Sequence, residues 1–325
     1  MKRTFKQSRQ PKAEMGVQGA AMTLRLLVCL LTAVAFTPLI PDRAEAQGQA
    51  RPATASAFQS DRILVEARGS GPDVIMIPGL ASTADVWRRT ADQIEGRRVH
   101  LITVRGFGDA APGANASGVV VAPVAAEIRR YMAEQRMVRP ALIGHSMGGQ
   151  VALRVAADSG TAVDRVMVVD ASPFFPSLIS PGATVGDVDP IARIAYQAVM
   201  FLGDDALRMQ GARIGADLGG AAEAVFGTLG WQGGDRRVLA QSLYEVMTTD
   251  LRSRLPDITA PVTVVYGWSA DDRSPRSRID GLFQSGFRSL RTPARFERIE
   301  GAEHMVMIDQ PRRFGAAVDR FLAGG

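Results

Sequence analysis

Cysteine is almost missing from this chain: Cys29 is the only one in 325 residues. A disulfide framework is therefore excluded, and so is any thiolate metal cluster. Histidine is scarce too, with three residues, His100, His145 and His304. No phosphate-binding loop, dinucleotide fingerprint or metal-ligand spacing occurs, so neither a cofactor nor a metal is expected. Internal repeats and low-complexity arrays are absent. No uninterrupted apolar run reaches the ~18–20 residues of a membrane-spanning helix. The longest uncharged stretch, "LLVCLLTAVAFTPLIP" (26–41), is broken near its end by Pro38 and Pro41.

What stands around that stretch reads as an export signal. Lys2, Arg3, Lys6, Arg9, Lys12 and Arg25 precede it, and Ala44 and Ala46 follow with small-residue spacing. The pattern predicts a signal peptide over 1–46, cleaved after Ala46, and a periplasmic or secreted mature protein without stable membrane insertion. Met22 opens a segment that would serve as a compact signal by itself. "LLVC" lacks the small residues expected before a lipidated cysteine. Seven of the 38 basic and three of the 33 acidic residues lie in 1–46, leaving 31 against 30. The high pI thus belongs to the leader, and the nearly neutral remainder offers no nucleic-acid surface. Residues 47–60 are small and polar and read as a flexible lead-in.

From residue 61 short β-branched runs alternate with helical stretches, the pattern of an α/β fold with a mostly parallel sheet. "RILVEAR", "DVIMIPG", "RVHLITV", "ALIG" and "VDRVMVVD" read as strands. "STADVWRRTADQIEG" reads as a helix capped by Ser82 or Thr83, and "MGGQVALRVAADSG" as a helix closed by Gly160. The alternation stops over 171–250, where only apolar helical stretches occur, and resumes with "PVTVVYG", "ARFERIEG" and "PRRFGAAVDRFLAG". An insertion of about 80 residues is too long for a plain loop and is expected to form its own helical layer. The core is then 61–170 plus 251–325.

The chemistry starts at "ALIGHSMGGQVAL", where Ser146 sits in a Gly-x-Ser-x-Gly frame between a strand and a helix. Small residues on both sides suit a sharp strand-to-helix turn that lifts the hydroxyl above the sheet. A serine hydroxyl needs a base. His100 lies inside a strand pattern, and His145, beside Ser146, should point away from the hydroxyl. His304 follows the strand "ARFERIEG" at the C-terminal sheet edge, where open α/β sheets gather their catalytic groups, and is the expected base. Only neutral imidazole can accept the serine proton, so activity should rise as that base deprotonates. An acid must orient the imidazole. Asp271, four residues before Pro275, is the first choice, with Asp272 and Asp170 as alternatives. The oxyanion is expected to be held by main-chain N–H groups of Met147 and Leu80, with Ala81 as a variant of the second.

On "IPGLAS", "VRGFGDA", "GHSMGG", the Asp271/Asp272 region and "IEGAEHMVMIDQPRRF", the chain from about residue 61 resembles the α/β-hydrolase superfamily, serine esterase/lipase-like members with a helical cap. Pro78-Gly79 stands where the family usually has His-Gly. The resemblance implies that 171–250 forms the cap over the site. Its apolar residues, among them Phe174, Phe175, Phe201 and Trp231, are expected to contribute to a pocket for an ester-like small molecule with an apolar part. The expected activity is carboxylic-ester cleavage through an acyl-enzyme. The same triad would also suit an amide, a lactone, a carbon–carbon bond or perhydrolysis. A binding protein on the same scaffold would typically have lost Ser146 or His304.

Overall fold

The computed structural model describes residues 58–201, 232–270 and 274–324. The expected signal peptide, most of the lead-in, residues 202–231 with Trp231, and both Asp271 and Asp272 lie outside the described residues. So does the side chain of Phe201.

Seven strands form one sheet: β1 Ile63–Gly69, β2 Asp73–Ile77, β3 Arg98–Val104, β4 Ala141–His145, β5 Arg165–Val169, β6 Val262–Trp268 and β7 Arg295–Glu300. Their spatial order is β1-β3-β2-β4-β5-β6-β7. Only the β1–β3 pairing is antiparallel, and the others are parallel. The chain is thus an α/β fold with a mostly parallel sheet, as the alternation predicts. The five inner strands are near-continuous apolar runs because both faces are covered, whereas β1 and β7 at the sheet edges carry charged residues. Side-chain alternation divides them cleanly: Ile75, Ile77, Leu142, Val166 and Val168 join one core, while Val74, Met76, Ile143, Met167 and Val169 join the other.

Six helices of eight residues or more are described: α1 Val121–Glu134, α2 Met147–Ser159, α3 Val185–Phe201, α4 Arg236–Thr248, α5 Arg276–Gly286 and α6 Pro311–Ala323. α6 buries Phe314, Ala317, Val318, Phe321 and Leu322, spaced to make one helical stripe against the sheet. Pro311 opens it and Gly324, in the left-handed conformation, closes it. The expected helix over 82–96 is shorter, a 3₁₀ turn Ala84–Trp87 running into a single α-turn Arg88–Ala91. Thr83 caps it by accepting the Asp85 N–H. α3 and α4 fall between β5 and β6, where the strand alternation stops. Among the described residues no helix is long and apolar enough to cross a membrane.

Strand order fixes where a site can form. After β2 the chain crosses to β3 on one side, then returns to place β4 on the other. The crevice beyond the C-terminal ends of β2 and β4 is the switch point where such sheets bind ligands. β2 runs into Pro78-Gly79-Leu80, and β4 runs into Ser146.

Candidate active site

Ser146 joins β4 to α2 with φ 52° and ψ −122°, a conformation that L side chains rarely adopt. Of the five non-glycine residues with positive φ among those described, three cluster here: Ala81, Ser146 and Asp170. Each costs about 1–3 kcal/mol, so the surrounding structure must hold them. The motif glycines make that possible by close approach. A Cβ at Gly144 would lie 2.1 Å from the Gly148 carbonyl oxygen, and one at Gly148 would lie 2.3 Å from that of Ile77. Met147 is the first residue of α2, so its N–H has no acceptor inside the helix. Leu80 lies three residues past the end of β2, and pairing of Ile77 with Gly144 sets its loop beside the elbow.

Register also decides which carboxylate is near. His145 pairs with Val169, so Ser146 and Asp170 leave neighbouring strands at the same level. The Ser146 N–H donates to Val169 at 2.9 Å, and the Asp170 N–H donates to Val265 at 2.7 Å. Asp170 Oδ2 then accepts from Nδ1 of His304 at 2.7 Å, while its Oδ1 accepts from the Gly267 N–H at 3.1 Å. A proton on Nδ1 leaves the lone pair of the neutral ring on Nε2, the tautomer a general base needs. Asp170, third of the three acid candidates, is therefore the carboxylate on His304. The first choice, Asp271, and its neighbour Asp272 lie outside the described residues.

The His304 ring lies 4.6 Å, centre to centre, from the ring of His145, next to Ser146. The loop carrying it is braced twice more. His145 Nε2 donates to the His304 carbonyl at 2.9 Å, and Asp309 Oδ2 accepts the Glu303 N–H at 2.9 Å. Burial pushes the Asp309 carboxyl above its ordinary value, against the pull of the Glu303 hydrogen bond. His145 is fully buried, which holds its pKa well below the ordinary histidine value and keeps the ring neutral. His100 is a packed strand histidine, bonded to Asp73 Oδ1 at 2.8 Å and to the Tyr131 hydroxyl at 2.7 Å.

The bracing roles of His145 and Asp309 were not visible in the sequence. His145 was expected only to turn away from the hydroxyl, and its adjacency to Ser146 was the one available signal. Phe174 has no exposed surface: Arg252 lies over its ring at 4.7 Å, so it packs the structure and presents no face to a ligand. Phe175 is half-buried beside it. Among the described residues no group of three or more His, Cys, Asp or Glu could hold a metal ion.

A family model described as the alpha/beta hydrolase family matches residues 74–317. The pimeloyl-[acyl-carrier protein] methyl ester esterase of Vibrio atlanticus is 26% identical over 234 residues, covering 69% of this chain and 82% of that protein. The sn-1-specific diacylglycerol lipase ABHD11 of Mus musculus is 26% identical over 272 residues, 80% of this chain and 84% of that protein. Among solved structures, a hydrolase from Pseudomonas aeruginosa superposes with a TM-score of 0.60 at 20% identity, covering 80% of this chain and 94% of that one. The enol-lactonase of Burkholderia xenovorans gives 0.55 at 18%, covering 80% and 96%. At those identities the structural likeness speaks for the fold.

Proposed function

The chain belongs to the alpha/beta hydrolase family, and from that premise we propose that it is an exported serine hydrolase cleaving carboxylic esters through an acyl-enzyme. The observation that carries the reading is the Asp170–His304 pair, 2.7 Å long, held beside a strained Ser146 elbow. Esterase and lipase relatives at 26% identity support the ester class.

In this reading the Ser146 hydroxyl attacks the ester carbonyl carbon while His304 Nε2 takes its proton. Asp170 keeps the Nδ1 proton in place and stabilises the imidazolium. The carbonyl oxygen becomes an oxyanion facing the N–H groups of Leu80 and Met147, each worth about 2.7–4 kcal/mol in the transition state. Collapse breaks the ester C–O bond, and the leaving alkoxide takes the proton from His304. Water then repeats the sequence on the acyl-serine, releasing the acid and restoring the hydroxyl.

The substrate is a small ester with an apolar part, held under the helices inserted between β5 and β6. Residues 1–46 act as the leader, and the mature enzyme works outside the cytoplasm. Fluorophosphonate labelling tests the core of this. The protein lacking residues 1–46 should label and turn over medium-chain esters, and Ser146→Ala should do neither. A wild type that does not label, or a Ser146→Ala that labels equally, rejects the acyl-enzyme. Fractionation with N-terminal sequencing of the exported protein tests the leader.

A further inference from the structure

His145 ends β4, and its ring lies between the two loops that the acyl-transfer reading requires. On one side is the His304 loop, bonded through Nε2 at 2.9 Å to the His304 carbonyl. On the other is the loop after β2. A side chain at Gly79 would place its Cβ 2.9 Å from His145 Nδ1 and 3.1 Å from Ser146 Cβ. Trp87 closes the back of the ring edge-on, at 6.4 Å between centres. The imidazole has no exposed surface, and Nδ1 has no hydrogen-bond partner among the described residues.

We infer that His145 is a positioning residue for acyl transfer, its Nε2–H fixing the backbone of His304 so that the catalytic imidazole stands over the Ser146 elbow. The argument is geometric. Asp170 restrains the His304 ring at Nδ1, but a ring on a free loop could rotate about that bond and carry Nε2 away. The bond from His145 restrains the main chain of the same residue. Two restraints on opposite ends of one side chain determine where Nε2 falls.

A carbonyl oxygen can only accept, so the bond requires the proton on Nε2 of His145 and leaves Nδ1 as the bare nitrogen. The full burial of the ring favours the neutral state that this tautomer needs. Neutrality matters a second time. His304 becomes cationic during each half-reaction, and a charged ring 4.6 Å away would oppose it. The same ring also abuts the backbone of the oxyanion loop, so one side chain spaces nucleophile, base and oxyanion donors. Adjacency in sequence thereby serves a contact 159 residues apart.

The inference deepens the proposed function and rests on it. Four proteins are compared on a chromogenic ester: wild type, His145→Phe, His145→Leu and His145→Gln. The first two substitutions remove the donor and keep the bulk, and the third returns an N–H at similar reach. Loss of positioning should lower kcat by about 10- to 100-fold with KM nearly unchanged, and His145→Gln should recover most of it. The fluorophosphonate labelling rate at Ser146 should fall in parallel.

Wild-type protein supplies a measurement free of any folding defect in the variants. Nitrogen-15 spectra, with the His145 ring assigned by its absence in His145→Gln, should show that ring neutral and protonated at Nε2 at about pH 7. Unchanged kcat in His145→Phe, a loss confined to KM, or a His145 ring protonated at Nδ1 would overturn the inference. An inactive, unlabelled wild type removes the acyl-transfer reading and this one together. An active, labelled wild type with indifferent variants removes this one alone.

Discussion

Two oxygens of one carboxylate set the Asp170 side chain: the Gly267 N–H holds Oδ1, and Oδ2 holds His304. An amide in its place would keep most of the shape and present the wrong group to Nδ1. Asp170→Asn should therefore lower kcat by about 10⁴-fold, the loss typical of a triad acid replaced by its amide. Asp271→Asn should remain within a few-fold of wild type, and kcat at saturating ester for both variants decides the assignment. In the sequence a motif singles out Ser146 and elimination among three histidines singles out His304, and the structure sets the His304 ring 4.6 Å from that of His145, next to Ser146. The carboxylate that bonds His304 could not be singled out in the same way, because several aspartates end strands. What separates them is register: His145 pairs with Val169, and no spacing along the chain states that pairing. Phe174 failed for a similar reason, since aromatic content says nothing of whether a ring meets a ligand or, as here, Arg252.

Elements join through polar contacts that composition hides. α4 returns to the core carrying Glu245, whose carboxylate accepts the N–H groups of Val120 and Val121 at 2.7 and 2.9 Å. These are orphan donors at the start of α1, capped from another helix rather than from a residue just ahead of it. Glu245→Ala should cost about 2–3 kcal/mol in urea unfolding, because two buried N–H groups lose a charged acceptor. Glu245→Gln, which keeps one acceptor oxygen, should lose less. Just before α4, Gln232 reaches the loop after β2. Its N–H donates to Ala81 at 2.7 Å, and its Oε1 accepts the Thr83 N–H at 2.6 Å. Ala81 has φ 56°, so this bridge helps hold a strained residue beside Leu80. Gln232→Ala should lower kcat by about tenfold with little change in Tm, short of the 10²–10³-fold for an oxyanion donor lost outright. The strands were readable from apolar runs. The 82–96 helix was overextended because helix-forming residues continue past Ala91, where the chain turns toward β3.

Across the whole molecule, the two ends of the sheet hold different histidine chemistry. Ser146, Asp170 and His304 gather at the C-terminal edge, while His100 pairs with β2 through the first residue of that strand, Asp73. Burial pushes His100 below its ordinary value even though the Asp73 hydrogen bond pulls it up. Burial raises Asp73, but hydrogen bonds from Arg98 and His100 outweigh it and leave that carboxyl below its usual range. Two of the three histidines, His100 and His145, are thus held neutral when folded and regain ordinary basicity when the chain unfolds. In the window between their depressed folded values and about 6.5, the unfolded chain binds more protons. Stability therefore rises with pH across that window and is lost as pH falls through it. Asp73 adds a further loss only below its ordinary 3.8. Tm measured by calorimetry should fall steadily from about pH 7 to pH 5. His100→Gln, which can still hydrogen-bond but cannot ionise, should start from a lower Tm at neutral pH and show a shallower slope. The slope should not vanish, because His145 contributes with the same sign. A Tm that is flat with pH in wild type, or a slope unchanged in His100→Gln, would place the acid sensitivity elsewhere in the fold.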